Sequence, residues 1–371
     1  MRKKMRLSGL LILLFIISCT LTFKGDIQTL FSEQDNPNRD LTTRGPIHNL
    51  SPSLEDNISS PYLVSGASGS ASDPQCVIDG DDNLHVVWSD LIDGNSDVLY
   101  SNYSYSKQKW GPIVNISSSS SEDEFPVISI DSNNNIWILW AEESTGPAYS
   151  LKGRYYDGQA KNWESTTTLD PPSGDRILNP DIASFSDGNM TVVYQKISGF
   201  YYNIFYMNYD GTAETWGDAR QITYGNQDRD PAIYVDDADN AHLVYKRGTG
   251  SPVVYQSIMY TNYTWDSFET DYVFAKDGTL NVTLGLYGDT IDVDKPDVIS
   301  SSSENQIYIA WENEWYSAND QIQLINLTLT DHINTSILND TVTNITKDAI
   351  NDNRRPKLSF AMESNNPMIV W

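Results

Sequence analysis

Residues 72–88 read SDPQCVIDGDDNLHVVW and contain, in order, a proline, an Asp/Asn-rich turn and a run that ends on tryptophan. Proline is tolerated at the first residue of a strand, and Asp and Asn tolerate the left-handed backbone of tight turns. The run Leu84–Trp88 is rich in β-branched and aromatic residues, which favours a buried strand. The stretch therefore predicts a β-hairpin, whose two strands we name A and B.

Six prolines begin a stretch of this kind, at spacings of 52, 54, 51, 65 and 60 residues. They are Pro74, Pro126, Pro180, Pro231, Pro296 and Pro356. An aromatic residue that ends strand B follows each proline by 14 or 15 positions, at Trp88, Trp140, Tyr194, Tyr245, Trp311 and Trp371. Because each aromatic recurs at the same place, we expect core packing rather than sugar stacking. A repeat of this length is typical of propellers and related repeat folds.

The alternating segment Asp97–Tyr103 follows the first hairpin and predicts strand C, and similar runs follow at 203–209 and 321–327. A tryptophan-bearing loop is expected next, at Trp110, Trp163, Trp216 and Trp265. A polar–aliphatic–polar triplet such as Asn115–Ser117 then predicts strand D. The sequence therefore predicts an all-β fold, a β-propeller of four-stranded antiparallel blades. Six blade starts are visible, five complete and the sixth truncated at Trp371.

The region before the repeats predicts export. A basic start and the apolar run Leu7–Phe23 make residues 1–23 a signal peptide or a lipoprotein signal, with Cys19 in a loose lipobox. Residues 24–70 are rich in Ser, Asn and Pro and predict a stalk, in which 45–51 resemble a strand D that closes the ring. Residues 71–371 form the predicted propeller. We expect a secreted or cell-surface protein, with a lipid anchor as an alternative, and an unpaired buried thiol at Cys76.

The charge balance constrains the partners. The chain has 24 Lys+Arg against 50 Asp+Glu, a net charge of -26. This field repels nucleic acid and anionic membranes, so we expect no nucleic-acid partner and membrane contact only through the N-terminal signal or a lipid anchor. The same field suits cations or neutral polymers as ligands. An excess of Asn-x-Ser/Thr acceptors, Asn115 and Asn189 among them, predicts a glycoprotein, with compositional bias as the alternative.

The repeat resembles the BNR, or Asp-box, repeats of sialidase-like propellers. In the first repeat the matching residues are Pro74, Asp79, Trp88 and Trp110, and the resemblance covers residues 72–371. The Asp-box itself is degenerate here, because later repeats keep its Asp-Gly and Trp only with altered spacing. The resemblance implies a propeller fold and leaves the activity open.

Sialidase-like enzymes hold the substrate carboxylate with three arginines and use a Tyr activated by a Glu as the nucleophile. The family's first arginine lies in an Arg-Ile-Pro motif, whereas this chain reads Ser72–Pro74 with an Asp in the centre. An Asp there would repel the substrate carboxylate, so we expect no sialoside hydrolysis. A triad such as Arg229, Arg247 and Arg355 stays open.

A ligand site is expected over the central channel of the propeller, on the face that carries the D–A and B–C loops. The residue before each proline and the second residue after each strand-B aromatic differ from repeat to repeat. A single asymmetric site would produce this variation, and so would unconstrained loop tips. The candidate ligand-binding residues are Asp73, Asp90, Glu142, Lys196, Asp230, Arg247, Asn313 and Arg355.

We predict no catalytic residue, metal or other cofactor. Asp79, Asp81 and Asn83 resemble a Ca²⁺ loop, but no final acidic ligand follows and turn chemistry explains them, so weak or no calcium dependence is expected. Glu142 and Glu312 form a candidate glycosidase acid/base pair, with coincidence among 50 carboxylates as the alternative.

These observations predict an exported binding module for a glycan or protein ligand at the loop-bearing face, without catalysis. Two alternatives stay open. One is a sialidase-like or other glycoside hydrolase. The other is a structural or adhesion domain of an envelope protein.

Overall fold

A computed structural model describes the chain from residue 64 to residue 370, with gaps. The described ranges are 64–65, 70–144, 146, 148–224, 227–249, 255–266, 271–274, 280–283, 292–301, 306–314, 320–328, 343–345, 356–360 and 367–370. Several predictions fall outside these ranges: the export signal, the closing strand at 45–51, Arg355 and the end of strand B at Trp371. Within them the secondary structure is entirely β, and no helix is long and apolar enough to cross a membrane.

The strands follow the sequence repeats, which we call units 1 to 6. Unit 1 contains β1 (Ser72–Ile78), β2 (Leu84–Ile92), β3 (Asn95–Ser104), β4 (Lys109–Trp110) and β5 (Val114–Asn115). Unit 2 contains β6 (Asp123–Ile130), β7 (Ile136–Glu143), β8 (Tyr149–Asp157), β9 (Asn162–Trp163) and β10 (Thr167–Asp170). Unit 3 contains β11 (Arg176–Ser184), β12 (Met190–Ser198), β13 (Tyr201–Asp210), β14 (Thr215–Trp216) and β15 (Arg220–Gln221).

The later units repeat this order. Unit 4 contains β16 (Gln227–Val235), β17 (Ala241–Thr249), β18 (Tyr255–Asp266), β19 (Asp271–Phe274) and β20 (Leu280–Asn281). Unit 5 contains β21 (Asp292–Ser301), β22 (Gln306–Glu314), β23 (Asp320–Thr328) and β24 (Thr343–Asn344). Unit 6 is described as β25 (Lys357–Phe360) and β26 (Pro367–Val370). In every unit the first strand pairs antiparallel with the second, as the hairpin pattern predicted.

Strand D differs from the prediction. In units 1 to 4 it is split into two short strands that both pair with strand C. Trp110, Trp163 and Trp216 lie in the first piece and pair with tyrosines of strand C, so the expectation that they lie in loops is wrong. The aromatic contact explains the pairing: the rings of Tyr103 and Trp110 meet edge to face with centroids 5.6 Å apart. Trp265 was also misplaced, because it lies within β18.

The polar–aliphatic–polar triplet completes strand D by a recurring pair of hydrogen bonds. In unit 3 the Ile222 N–H donates to the Ile204 carbonyl at 2.8 Å, and the Ile204 N–H donates to Thr223 Oγ1 at 2.9 Å. Units 1 and 4 repeat both bonds at Ile116–Ser117 and Val282–Thr283. The aliphatic residue is buried and the hydroxyl satisfies a strand-C donor, so the motif is a scaffold element.

The A strands form the inner layer of the molecule. They pack against each other in chain order, β1 on β6, β6 on β11, β11 on β16, β16 on β21, and β21 on β25. The hydrophobic core lies between neighbouring sheets: Val87, Tyr100 and Ile116 of unit 1 pack with Ile138 and Trp140 of unit 2. Similar clusters join the following pairs of units. Sheets that pack face to face around their innermost strands define a β-propeller. The number of blades that close the ring stays a prediction.

The five recurring strand-B aromatics that lie in the described part of the chain are core residues, as predicted. Trp88 is 3% exposed and Trp311 is fully buried, as are Trp140, Tyr194 and Tyr245. Cys76 in β1 was misjudged, because it is disulfide-bonded rather than an unpaired thiol. The chain's other cysteine, Cys19, lies outside the described residues. Spacing along a sequence does not reveal which Cα atoms come within disulfide distance.

Candidate ligand-binding site

The residue before each proline shares one unusual backbone geometry. Its φ angle lies between 46° and 54° at Asp73, Phe125, Asn179, Asp230 and Lys295. Each lies where the A–B register skips, so the A strands of units 1 to 5 carry a β-bulge at this point. A left-handed φ is uncommon for a residue with a side chain and is disfavoured before proline. Bulges of this kind redirect side chains and are frequent next to functional sites.

Three of these bulge residues meet across three consecutive units. Asn179 Nδ2 donates to Asp230 Oδ1 at 2.7 Å, and the Lys295 ammonium donates to the same oxygen. Burial raises the pKa of the Asp230 carboxyl, while the charge of Lys295 acts in the opposite direction. Asp230 therefore contacts the corresponding residue of each neighbouring unit, and its part in a ligand site stays a prediction. Arg355, the sixth member of the series, lies outside the described residues.

Units 1 and 2 give the same end of the molecule an acidic side. Burial raises the pKa of Glu124, and the nearby charges of Asp73, Glu122 and Glu143 raise it further. Arg176, whose guanidinium lies 5.3 Å from the ring centre of Tyr149, acts in the opposite direction. Asp73 thus faces a cluster of carboxylates, which the sequence analysis did not detect.

The second group of predicted residues lies in strands rather than loops. Asp90, Glu142, Lys196, Arg247 and Asn313 all fall within the B strands, which continue beyond them. Their expected position in the B–C loops was therefore wrong. The B strands are longer than predicted because strand B stays paired with strand C up to the turn that joins them. In unit 3, for example, the last pair is Ser198–Tyr201. The B–C connections are correspondingly short.

These strand-B residues are paired inside the protein. Ser70 Oγ donates to Asp90 at 2.8 Å, and Lys152 Nζ lies 3.1 Å from Glu142. Lys196 lies 3.1 Å from Asp170. Asn313 donates to Gln323 at 3.0 Å. Four predicted site residues therefore have structural partners, and the proposed acid/base partner of Glu142, Glu312, is 5% exposed inside β22.

Arg247 is engaged most completely. It donates to both carboxylate oxygens of Asp228, at 2.9 and 3.2 Å, and to the hydroxyl of Tyr245 at 3.1 Å. Asp228 is fully buried, so this bidentate pair stabilises the end of strand B. The Nε and Nη2 atoms of Arg247 are thus occupied by partners within the protein, and its place in an arginine triad stays a prediction.

An exposed aromatic group next to the bulges was missed by sequence analysis. Phe200 is 89% exposed and Tyr201 is 56% exposed, at the tip of the hairpin between β12 and β13. The Arg229 guanidinium lies 3.9 Å from the ring centre of Tyr202, and Arg229 also donates to Gln227 at 3.1 Å. We call Phe200, Tyr201, Tyr202, Gln227 and Arg229 the aromatic–arginine patch. The sequence signal that could have indicated this group is the run Gly199–Tyr202, in which three aromatic residues follow a turn glycine.

The Asp/Asn turns lie at the opposite end and are explained by their own hydrogen bonds. Asp79 Oδ1 accepts the N–H groups of Asp81 and Asn83 at 2.9 and 2.8 Å, and Oδ2 accepts the Asn83 amide at 2.9 Å. Burial alone would raise the pKa of Asp79, but these bonds and the one to His85 lower it. Asp131 and Asp236 make the same turn. Among the described residues there is no cluster of three or more His, Cys, Asp or Glu suited to a metal ion.

The fold and the site together define a β-propeller with a polar and aromatic surface where its inner strands begin. No protein-family model matches the chain, and no curated protein matches it. Among solved structures it is similar to an ulvan lyase of polysaccharide lyase family PL25, with 10% identity, coverage of 78% of this chain and 73% of that one, and a TM-score of 0.51. A structure of that ulvan lyase bound to -[GlcA(1-4)Rha3S]- gives the same values. At this identity the likeness concerns the fold alone.

Proposed function

We propose that this β-propeller is an exported, non-catalytic glycan-binding module whose ligand lies over units 3 and 4, across the aromatic–arginine patch. The observation that carries the proposal is the exposure of Phe200 and Tyr201 beside the stacked pair of Arg229 and Tyr202. Apolar C–H faces of sugars pack on aromatic rings, and a few polar groups beside those rings fix the orientation of the ligand.

The position of the patch also supports the proposal. Gln227 Nε2 donates to the Phe200 carbonyl, and Tyr202 pairs with Gln227 across units 3 and 4. The exposed hairpin is thus joined to the start of β16 at Gln227, three residues before the bulge residue Asp230. A rigid sheet therefore holds both the aromatic and the polar parts of the patch, which limits the entropy lost when a ligand binds.

The comparison with solved structures points in the same direction. A protein of similar fold is a polysaccharide lyase, and one of its structures contains a uronic acid–rhamnose sulfate disaccharide unit. This likeness is one of fold. Because that protein acts on a polysaccharide, we choose glycans rather than proteins as the first class of ligand to test. Export itself rests on the N-terminal sequence.

Tyr201→Ala tests the proposal. We expect the variant to bind a polysaccharide recognised by the full-length protein about tenfold more weakly, because a stacked aromatic pair contributes on the order of 1 kcal/mol and area burial adds to it. Affinity electrophoresis against a polysaccharide panel measures the change. Tyr105→Ala is the matched control, since Tyr105 is 36% exposed on the turn between β3 and β4 at the opposite end. Equal weakening in both variants, or binding of a protein instead of any polysaccharide, would contradict the proposal.

A glycoside hydrolase is the second candidate function, and one observation favours it. Glu124 is half-buried, its pKa is raised, and it lies among the charges of Asp73, Glu122 and Glu143. A carboxyl group with a raised pKa beside an ionised one is what a glycosidase acid/base pair requires. Release of reducing ends from the same polysaccharides, lost in Glu124→Gln, would establish this function in place of the binding module.

A further inference from the structure

The upper end of units 3 to 5, where strand A begins and strand B ends, concentrates cationic side chains in a chain of net charge -26. Four of them are neutralised by a contacting carboxylate. The pairs are Lys196–Asp170, Lys246–Asp294, Arg247–Asp228 and Lys295–Asp230. These ion pairs hold the strand ends together, so the positive charge of each of the four cations is balanced by a carboxylate of the protein itself.

Arg229 differs from these four. Within the described part of the chain it contacts no carboxylate: its partners are the ring of Tyr202, at 3.9 Å, and the amide oxygen of Gln227, at 3.1 Å. Stacking fixes the plane of the guanidinium, and the neutral Gln227 uses one of its five donors. The remaining donors are therefore oriented and uncompensated, and the tyrosine on which the guanidinium stacks follows the exposed Phe200 and Tyr201 in sequence.

We propose that the glycan bound at this patch is anionic and that Arg229 binds its carboxylate or sulfate group. This inference rests on the proposed glycan-binding function. A planar guanidinium matches the two oxygens of a carboxylate or sulfate with parallel hydrogen bonds, which are about twice as strong as neutral ones. The sugar ring that carries the acidic group then stacks on Tyr201 or Phe200.

The proposal departs from what the net charge predicts. The overall field of the chain favours neutral or cationic polymers, because it repels a polyanion at long range. Screening limits that repulsion to about 8 Å at physiological ionic strength, so a contact with Arg229 is decided by its immediate surroundings. Its neighbours Asp228 and Asp230 are already paired with Arg247 and Lys295.

Arg176 provides an internal comparison. It also lies over a tyrosine, with its guanidinium 5.3 Å from the ring centre of Tyr149, one unit earlier in the ring. It differs in its electrostatic surroundings, because it interacts with Glu124, itself surrounded by further carboxylates. Arg176→Gln therefore removes the same group from a comparable stack whose charge is already compensated.

The experiment uses the full-length protein and three polymers: polygalacturonate for carboxylates, dextran sulfate for sulfates, and unmodified dextran as the neutral polymer. Affinity electrophoresis or calorimetry compares the wild type with Arg229→Gln, Arg229→Lys and Arg176→Gln, after circular dichroism has shown that each variant is folded. We expect at least tenfold tighter binding of one anionic polymer than of dextran. Arg229→Gln should reduce that affinity about 10- to 100-fold, Arg229→Lys should restore part of it, and Arg176→Gln should change it less than threefold.

The outcomes separate this inference from the function on which it rests. Dextran bound as tightly as both anionic polymers, with Tyr201→Ala still weakening the interaction, would overturn the anionic ligand and leave the glycan-binding module standing. An unchanged affinity in Arg229→Gln, or equal losses in Arg229→Gln and Arg176→Gln, would overturn the role of Arg229. Failure of the wild type to bind any polysaccharide would overturn both.

Discussion

At the scale of single residues, a buried carboxylate at the start of a strand makes the stability of the protein depend on pH. Asp123 is fully buried and accepts the indole N–H of Trp140 and the hydroxyl of Ser119, both at 2.8 Å. Burial raises its pKa to about 6, although these hydrogen bonds act in the opposite direction. The sequence predicted that Trp140 belongs to the core. It did not single out Asp123, because one carboxylate among 50 carries no signal of the donors that will surround it.

Asp123→Asn should change the dependence of stability on pH. Because the pKa is raised above that of the unfolded chain, the folded state retains the proton between about pH 4 and pH 6, and the free energy of unfolding falls as the pH rises through this window. An asparagine does not titrate. The variant should therefore gain on the order of 2 kcal/mol relative to the wild type on going from pH 4 to pH 7.

Urea denaturation at both pH values measures this difference. Asp82→Asn is the control, because Asp82 is exposed on the A–B turn of unit 1. If the free energies of unfolding of Asp123→Asn and the wild type differ by the same amount at pH 4 and pH 7, the pKa of Asp123 is not raised in the folded protein.

At the scale of structural elements, the polar–aliphatic–polar triplet of strand D has two possible interpretations in the sequence. Asn115–Ser117 reads both as strand D and as an N-glycosylation acceptor. In the structure the Asn115 amide donates to Asp97 at 2.7 Å, and Ser117 Oγ accepts the N–H of Val98. Unit 3 carries Gln221–Thr223 at the same place without an acceptor asparagine. Part of the excess of acceptor motifs is therefore a property of the scaffold, and glycosylation stays a prediction.

Thr223→Val tests the role of the triplet hydroxyl. Valine keeps the shape of threonine but leaves the N–H of Ile204, which donates to Thr223 Oγ1 at 2.9 Å, without its acceptor. Thr223 is fully buried, so water does not replace the lost partner and we expect a loss of about 1–3 kcal/mol in the free energy of unfolding. Thr223→Ser retains the hydroxyl and should lose less than half as much. Equal destabilisation by valine and serine, measured by urea denaturation, would show that methyl packing matters rather than the hydrogen bond.

The positions of the strands were easier to predict from the sequence than the residues at which the strands end. Strand C was predicted at Asp97–Tyr103 and is observed as Asn95–Ser104, because alternation reports directly on a half-buried strand. The B–C loops were predicted too early, since the register of a hairpin near its tip depends on cross-strand pairs that a single strand does not reveal. Arg247 and Lys196 were consequently placed in loops, whereas they lie in B strands and form ion pairs with Asp228 and Asp170.

At the scale of the whole molecule, the repeat predicted the architecture because stacking is the way such units bury both faces. The contacts that build the site join different units, and those between bulge residues span 51 and 65 residues in sequence. Asn179 meets Asp230, and Asp230 meets Lys295. Unit 6 contributes Lys357, which lies 3.5 Å from Asp297 in unit 5. Single-sequence reasoning located the pre-proline positions but had no means of showing which of them converge.

The central claim is that a glycan binds over units 3 and 4 at the upper end of this propeller, and hydrogen–deuterium exchange of the full-length protein with and without polygalacturonate or dextran sulfate tests it most directly. Binding at the aromatic–arginine patch should slow amide exchange in peptides covering residues 199–203 and 227–231, because the ligand restricts opening of the hairpin tip and the bulge. The A–B turns at 79–83, 131–135 and 236–240, at the opposite end, should exchange at unchanged rates. Protection confined to those turns, or no protection anywhere under conditions where the polymer is bound, would contradict the account.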